Sequence, residues 1–203
     1  MFYTINNHLY KTNNAFVGFT NNAPIDPYNP LGLPPNTIRI KFKSDYSPNM
    51  GDVRTLVDYT NNVWDIYKQS NDWSGLFKGF VTQLLEVLGA NTTNVTSMKQ
   101  LFINCGTITN VSLFDTSNVV NMETMFQNCT SLINIPLFDT SKVTNMNLML
   151  YNCSNIKSGS LALYKQASSQ VYPPSNHMKT FYNCGKNTIT GAEELSQIPN
   201  DWK

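Results

Sequence analysis

Residues 117–129 have the sequence Ser-Asn-Val-Val-Asn-Met-Glu-Thr-Met-Phe-Gln-Asn-Cys, and close copies occupy residues 93–105 and 141–153. The three copies follow one another at a spacing of 24 residues. Weaker copies flank them at residues 73–80 and 177–184. A unit that recurs at a fixed period of about 20–50 residues is typical of proteins whose neighbouring units bury one continuous core. The sequence therefore predicts a repeat protein, with atypical repeats at its two ends.

The spacing of apolar residues within one copy predicts a short helix. Val119, Met122 and Phe126 lie at i, i+3 and i+7, which is one face of a helix, and Ser117 precedes them as an expected N-cap. Residues 132–138 are then expected to form a short strand or extended segment. A helix and a strand every 24 residues bury their apolar faces only against neighbouring units. The predicted fold is an α/β repeat solenoid with short leucine-rich-repeat-like units of about 24 residues, preceded by a small β-element.

The N-terminal part of the chain has a different pattern. Residues 1–20 alternate apolar and polar residues between Asn-rich breaks, which predicts a small β-meander. Such an element is too small to be stable alone, so we expect it to oligomerise or to dock on another protein. The apolar residues of this attachment element are Phe2, Tyr3, Leu9, Tyr10, Phe16 and Phe19. The Pro-rich residues 21–36 follow as an extended linker.

Alternation of apolar residues predicts two further strands, at residues 37–42 and 63–67. Residues 191–195 are expected to form a closing helix. The rest of the chain is therefore divided into a β-rich N-terminal cap at 37–72, the repeats at 73–184 and a C-terminal cap at 185–203.

Charge and hydropathy exclude several classes of partner. Lys and Arg number 14 against 13 Asp and Glu, a net charge of +1, so there is no basic surplus for nucleic acid or an acidic membrane face. No run approaches the roughly 18 apolar residues of a membrane span. The first residues lack the pattern of a signal peptide. If the chain is complete, we therefore expect the newly made protein to be located in a cytoplasm.

The four cysteines would suit two disulfides in a secreted protein. Three of them, however, recur at a single position of the repeat, and the fourth lies at that position in the last copy. Small buried side chains are expected at such a position. Reduced, packed thiols are therefore favoured over disulfides.

Residues that could carry chemistry are scarce. His8 and His177 are the two imidazoles, no spacing suits a zinc site, and no pair of carboxylates suggests a hydrolase. Asp115 and Asp139 recur at one position, where a calcium-binding row and a simple turn residue are both conceivable; the turn is favoured. We expect no catalytic residue, no metal and no cofactor. A weak expectation for a ligand or partner face falls on outward strand positions, at Asn110, Ser112 and Asn134.

Residues 114–132 (Phe-Asp-Thr-Ser-Asn-Val-Val-Asn-Met-Glu-Thr-Met-Phe-Gln-Asn-Cys-Thr-Ser-Leu) resemble the repeat of the BspA-like leucine-rich-repeat family of bacterial surface proteins. The whole arrangement is also similar to small proteins of gut bacteriophages, at residues 84–93, 161–164 and 191–195. This second resemblance implies a non-enzymatic virion protein, of capsid-decoration or head-fibre type, assembled in the cytoplasm of a bacterial host. The implied partners are other virion proteins, reached through the N-terminal element, a bacterial surface glycan or protein, and further copies of the chain. The alternative is an adhesin on the bacterial cell surface.

Overall fold

A five-stranded mixed sheet is the main regular element of the computed structural model, which describes residues 2–5, 8–11, 26–48 and 53–203. In chain order the strands are β1 (Phe2–Ile5), β2 (His8–Lys11), β3 (Thr37–Phe42), β4 (Val53–Asp58), β5 (Val63–Tyr67), β6 (Leu84–Asn91) and β7 (Asn110–Val111). The sheet has the order β4-β5-β3-β6-β7, while β1 and β2 form a separate two-stranded sheet. All pairs are antiparallel except β6 with β7, which is parallel.

The predicted strands at residues 37–42 and 63–67 are confirmed as β3 and β5. In β3 the side chains of Ile38, Ile40 and Phe42 are buried, which is the period of two that a strand packed on a core requires. Strands β4 and β6 were not predicted.

The three close copies contain no helix: their backbone follows a series of turns from residue 93 to residue 153. Alternate backbone amides donate to the following repeat, as Met122 N does to Asn145 O at 2.8 Å and Asn128 N does to Tyr151 O at 2.8 Å. An intervening amide bonds within its own repeat, as Met125 N does to Met122 O at 3.2 Å. Each repeat is thus hydrogen-bonded to the next one in register.

The predicted helix is wrong because two residues of each repeat have left-handed backbone conformations. In the central copy these are Thr124, with φ of 53°, and Asn128, with φ of 61°. A left-handed residue ends a right-handed helix, and here two of them lie four residues apart within the segment that was expected to be helical. In the first, weaker copy the equivalent positions hold Gly75 and Gly79, the residue type that takes this conformation without strain.

The predicted α/β repeat solenoid is therefore a wrong assignment of the fold. The chain is built on the mixed five-stranded sheet, which is not closed, and its described residues contain only two short helices. These are α1 (Ser160–Ser168) and α2 (Ile189–Ser196), and both lie outside the three close copies. Ser117, the expected N-cap, precedes no helix. In place of the expected strand at residues 132–138, a single bridge joins Asn134 to Ser158.

The core consists of rows of like side chains contributed by successive repeats. The rings of Phe77, Phe102 and Phe126 stack at centroid distances of 5.4 and 5.3 Å. These rows join the buried residues of the sheet in one apolar cluster, which extends from Ile38 to Trp202. Burial of this cluster is the main stabilising contribution to the fold.

The N-terminal elements are described in part. The predicted meander at residues 1–20 includes the hairpin of β1 and β2, in which Tyr3 pairs with Tyr10, whereas Phe16 and Phe19 lie outside the described residues. In the expected linker, residues 26–36 are described and pack on the sheet. Leu33 is buried there, and its carbonyl accepts from Asn91 Nδ2 at 2.7 Å.

The C-terminal cap contains the predicted closing helix, which is confirmed as α2. Thr188 caps it, because its Oγ1 accepts from Gly191 N at 3.1 Å. Helix α1 was not predicted. Among the described residues, no helix is long and apolar enough to cross a membrane.

Candidate functional site

The predicted face at Asn110, Ser112 and Asn134 lies along the edge of the sheet where β7 ends. Asn110 and Asn134 are exposed at equivalent positions of successive repeats. Asn134 Oδ1 accepts from Ser158 Oγ at 2.8 Å. Ser112 is half-buried, and its hydroxyl donates to Val87 O at 3.0 Å. The two asparagines therefore belong to one exposed row, whereas Ser112 serves to join β6 to the next repeat.

A second row of polar side chains was not predicted. We call it the amide row: it is formed by Asn104, Asn128, Asn152 and Asn183. Each side-chain amide after Asn104 donates to the Oδ1 of the asparagine in the preceding repeat, at distances of 2.8, 3.2 and 2.9 Å in chain order. The Asn that precedes Cys in four of the five copies was the signal for this row in the sequence.

The amide row is fixed by the backbone as well as by its side chains. All four asparagines are left-handed, with φ between 57° and 62°. Asn tolerates this conformation better than other residues that have a Cβ. Next to the row, the rings of Tyr151 and Tyr182 stack at 5.0 Å. The surface thus presents like groups from successive repeats, joined to one another by hydrogen bonds.

Asp115 and Asp139 are turn residues, as the favoured interpretation of the sequence predicted. Asp115 Oδ1 accepts from Ser117 N at 2.8 Å, and Asp139 Oδ1 accepts from Ser141 N at the same distance. Both are Asx turns, in which a side chain bonds the backbone two residues further on. Within the described part of the chain, no group of three His, Cys, Asp or Glu side chains is close enough together to hold a metal ion.

The cysteines are free thiols in the core, which confirms the prediction of packed, reduced side chains. Cys129 Sγ donates to Phe102 O at 3.1 Å and Cys153 Sγ to Phe126 O at 3.0 Å, so each thiol bonds to the repeat before it. Burial raises the pKa of Cys105 and of Cys184 to about 12. Such thiols are packing groups and not nucleophiles.

His177 occupies the Met position of the last repeat, as an end-repeat substitution. Its ring stacks on Trp202 with a centroid distance of 4.1 Å, and its Nε2 lies 3.6 Å from Asp201 Oδ2. Phe181 N donates to Trp202 O at 2.9 Å. The end of the chain therefore closes the last repeat by both ring stacking and backbone pairing.

A protein-family model described as "Mycoplasma protein of unknown function, DUF285" matches residues 62–189, which is more than half of the chain. The matched segment contains all of the repeats and most of the sheet, from β5 to β7. This family is related to BspA-like surface repeat proteins. No match was found among curated proteins or among solved structures.

Proposed function

We propose that this chain, which belongs to the DUF285 family, is a non-enzymatic contact protein that displays its repeats to neighbouring subunits or to a host surface. Our more specific proposal is a phage virion protein of capsid-decoration or head-fibre type. The observation that carries the proposal is the amide row, in which one polar group, exposed at Asn104 and half-buried at the other three asparagines, recurs in four successive repeats and is held by inter-repeat hydrogen bonds.

A surface of this kind suits recognition because its side chains are already ordered. Binding costs free energy when flexible side chains become fixed, and a preformed array reduces that cost. The exposed row that contains Asn110 and Asn134 adds a second regular surface on the sheet side of the repeats. Neither surface needs a metal or a cofactor for this role.

The N-terminal hairpin supports attachment to a larger particle. Strands β1 and β2 pair only with each other among the described strands. A two-stranded sheet is marginal in water unless it packs on something else. We therefore propose that the element with Phe2, Tyr3, Leu9 and Tyr10 docks on another virion protein or on further copies of the chain.

Deletion of residues 1–25 tests this proposal. The deletion ends before residue 26 because residues 26–36 pack on the sheet, where Leu33 is buried. We expect the truncated chain to unfold at the temperature of the full chain but to be missing from gradient-purified phage particles analysed by mass spectrometry. Incorporation at the level of the full chain would show that the hairpin is not the attachment element.

The alternative is an adhesin on the surface of a bacterial cell, which the relation of the family to BspA-like surface repeat proteins favours. Mass spectrometry distinguishes the two locations if particles are compared with envelope fractions of uninfected cells. Presence in stoichiometric amounts in particles supports the virion proposal, and presence only in the envelope supports the adhesin.

A further inference from the structure

The last repeat departs from the 24-residue period. Cys153 and Cys184 are 31 residues apart, so this repeat is seven residues longer than the others. The lengthened segment after Cys153 contains α1 and the loop at residues 169–176, and it rejoins the register at Asn176, whose carbonyl accepts from Met146 N at 2.7 Å. Insertions in repeat proteins often map to a binding face. The surroundings of this insertion are therefore a candidate location for a site.

An open cavity of about 270 Å³, lined by several polar residues, lies where the insertion meets the end of the chain. Three separate segments form its walls: the preceding repeat, the inserted loop and the C-terminal turn. The lining residues are Asn147, Ser175, Asn176, His177, Met178 and Asp201. This cavity is distinct from the exposed row at Asn110 and Asn134.

One wall is an imidazole that is held in a fixed orientation. His177 Nδ1 lies 2.8 Å from Pro174 O, and the ring stacks on Trp202. Because a carbonyl oxygen only accepts, Nδ1 must carry the hydrogen, and Nε2 of the neutral ring is then an acceptor. This Nε2 lies 3.6 Å from the Asp201 carboxylate, which is also an acceptor.

A second wall contains an acceptor that has no donor. Asn147 Oδ1 is enclosed, and no described residue donates to it. In the preceding repeat the same position holds Glu123, whose Oε2 lies 2.9 Å from Lys99 Nζ and accepts from Asn145 Nδ2 at 3.2 Å. An enclosed acceptor without a partner costs free energy, and a ligand hydroxyl would recover it once the Asn147 side chain turns toward the cavity.

We propose that this cavity binds one sugar residue of a glycan. A sugar ring brings several hydroxyl donors close together, and the cavity offers acceptors on Asn147, His177 and Asp201. Its volume is just below the range of about 300–1,000 Å³ for drug-sized ligands, so it suits a single ring. Met178, whose side chain is largely exposed, provides an apolar contact for the C–H face of the ring. The sugar is the ligand of the proposed host-surface contact, and its biological role rests on that proposed function.

The test is a titration of the full chain with the methyl glycosides of glucose, galactose, mannose and N-acetylglucosamine, followed by NMR. We expect at least one glycoside to shift the side-chain amide signals of Asn147 and Asn176 and the indole signal of Trp202, with saturation. The variants Asn147→Leu and Asp201→Asn should weaken binding by at least about tenfold. Asn147→Leu removes the unpaired acceptor from the wall, so it should fold at least as well as the parent chain.

The matched control is Asn94→Leu, which makes the same substitution at an exposed position in the first close copy and should bind like the parent. Absence of saturable shifts with all four glycosides overturns the proposal, as does unchanged binding by both cavity variants. Shifts with methylammonium but with no glycoside also overturn it, because they would mark an amine site. These measurements use the purified chain, so their failure is separate from failure to find the protein in particles or envelopes.

Discussion

The side-chain amide of Asn128 donates to Asn104 Oδ1 at 2.8 Å, and the two residues have nearly the same left-handed φ, 61° and 62°. One residue type thus meets two requirements at once. Its backbone ends a turn in a conformation that most residues avoid, and its side chain joins two repeats. The two contributions can be separated by substitution.

Replacing Asn128 by Ala should lower the free energy of unfolding by about 2–3 kcal/mol, because it removes two amide hydrogen bonds and leaves a Cβ in the left-handed region. Asn128→Gly removes the same hydrogen bonds without the conformational cost. The glycine variant should therefore be more stable than the alanine variant by about 1 kcal/mol in urea denaturation. Equal stabilities would contradict a conformational cost for alanine at this position.

Gln100 is also left-handed, with φ of 59°, and its side chain is not part of the core. Gln100→Gly should therefore stabilise the chain by about 0.5–1 kcal/mol. Gln127 provides a matched control, since it is the same residue type at a position with ordinary φ. There, Gln127→Gly should destabilise the chain by about 0.5–1 kcal/mol. The prediction is contradicted if the two glycine substitutions change the unfolding midpoint in the same direction.

Gly159, the N-cap of helix α1, offers no side-chain cap, and Glu194 of α2 supplies one instead. Its Oε2 accepts from Leu161 N at 3.1 Å and its Oε1 from Gly159 N at 3.4 Å. Glu194→Ala should cost about 1–2 kcal/mol of stability and should speed hydrogen exchange at these two amides. Glu193→Ala, a change of the exposed neighbour, should alter stability by no more than about 0.5 kcal/mol. A similar loss in both variants would exclude the capping role.

Burial raises the pKa of Cys153 well above its usual value of 9.0, so the native thiol remains protonated at alkaline pH. An unfolded thiol loses its proton near pH 9, so above that pH the unfolded chain binds fewer protons than the native one. Stability must then fall as pH rises, by up to about 1.4 kcal/mol per pH unit for this thiol. Cys153→Ala should be less stable at pH 7 but should show a shallower decline above about pH 9. Parallel pH profiles for the two chains would rule out a buried, protonated Cys153.

The apolar pattern was enough to predict the repeats and the strands β3 and β5, because an apolar residue at every second position, as at Ile38 and Ile40, fits a strand packed on a core and does not fit a helix. It was not enough to predict the backbone within a repeat. Val119, Met122 and Phe126 are all buried, as a helix would require, yet the chain reaches this burial through turns. The distinguishing signals were Gly75 and Gly79 in the first copy, at the two left-handed positions.

Part of the candidate site depends on contacts that a single segment of sequence does not specify. The cavity at His177 is formed by the preceding repeat, the inserted loop and the chain end, and its ring orientation is set by Pro174 and Trp202. Only the irregular spacing before Cys184 marked this region in the sequence. The amide row, in contrast, could have been recognised from the Asn that precedes each Cys.

Every interior repeat donates its alternate amides to the following copy and accepts the same bonds from the copy before it. An additional copy of residues 117–140 between two existing ones would thus find complementary partners on both sides. Gene duplication can therefore lengthen or shorten such a molecule by whole units, without redesign of either end. Insertions of any other length would need a segment that leaves the register and returns to it, as the chain does between Cys153 and Asn176.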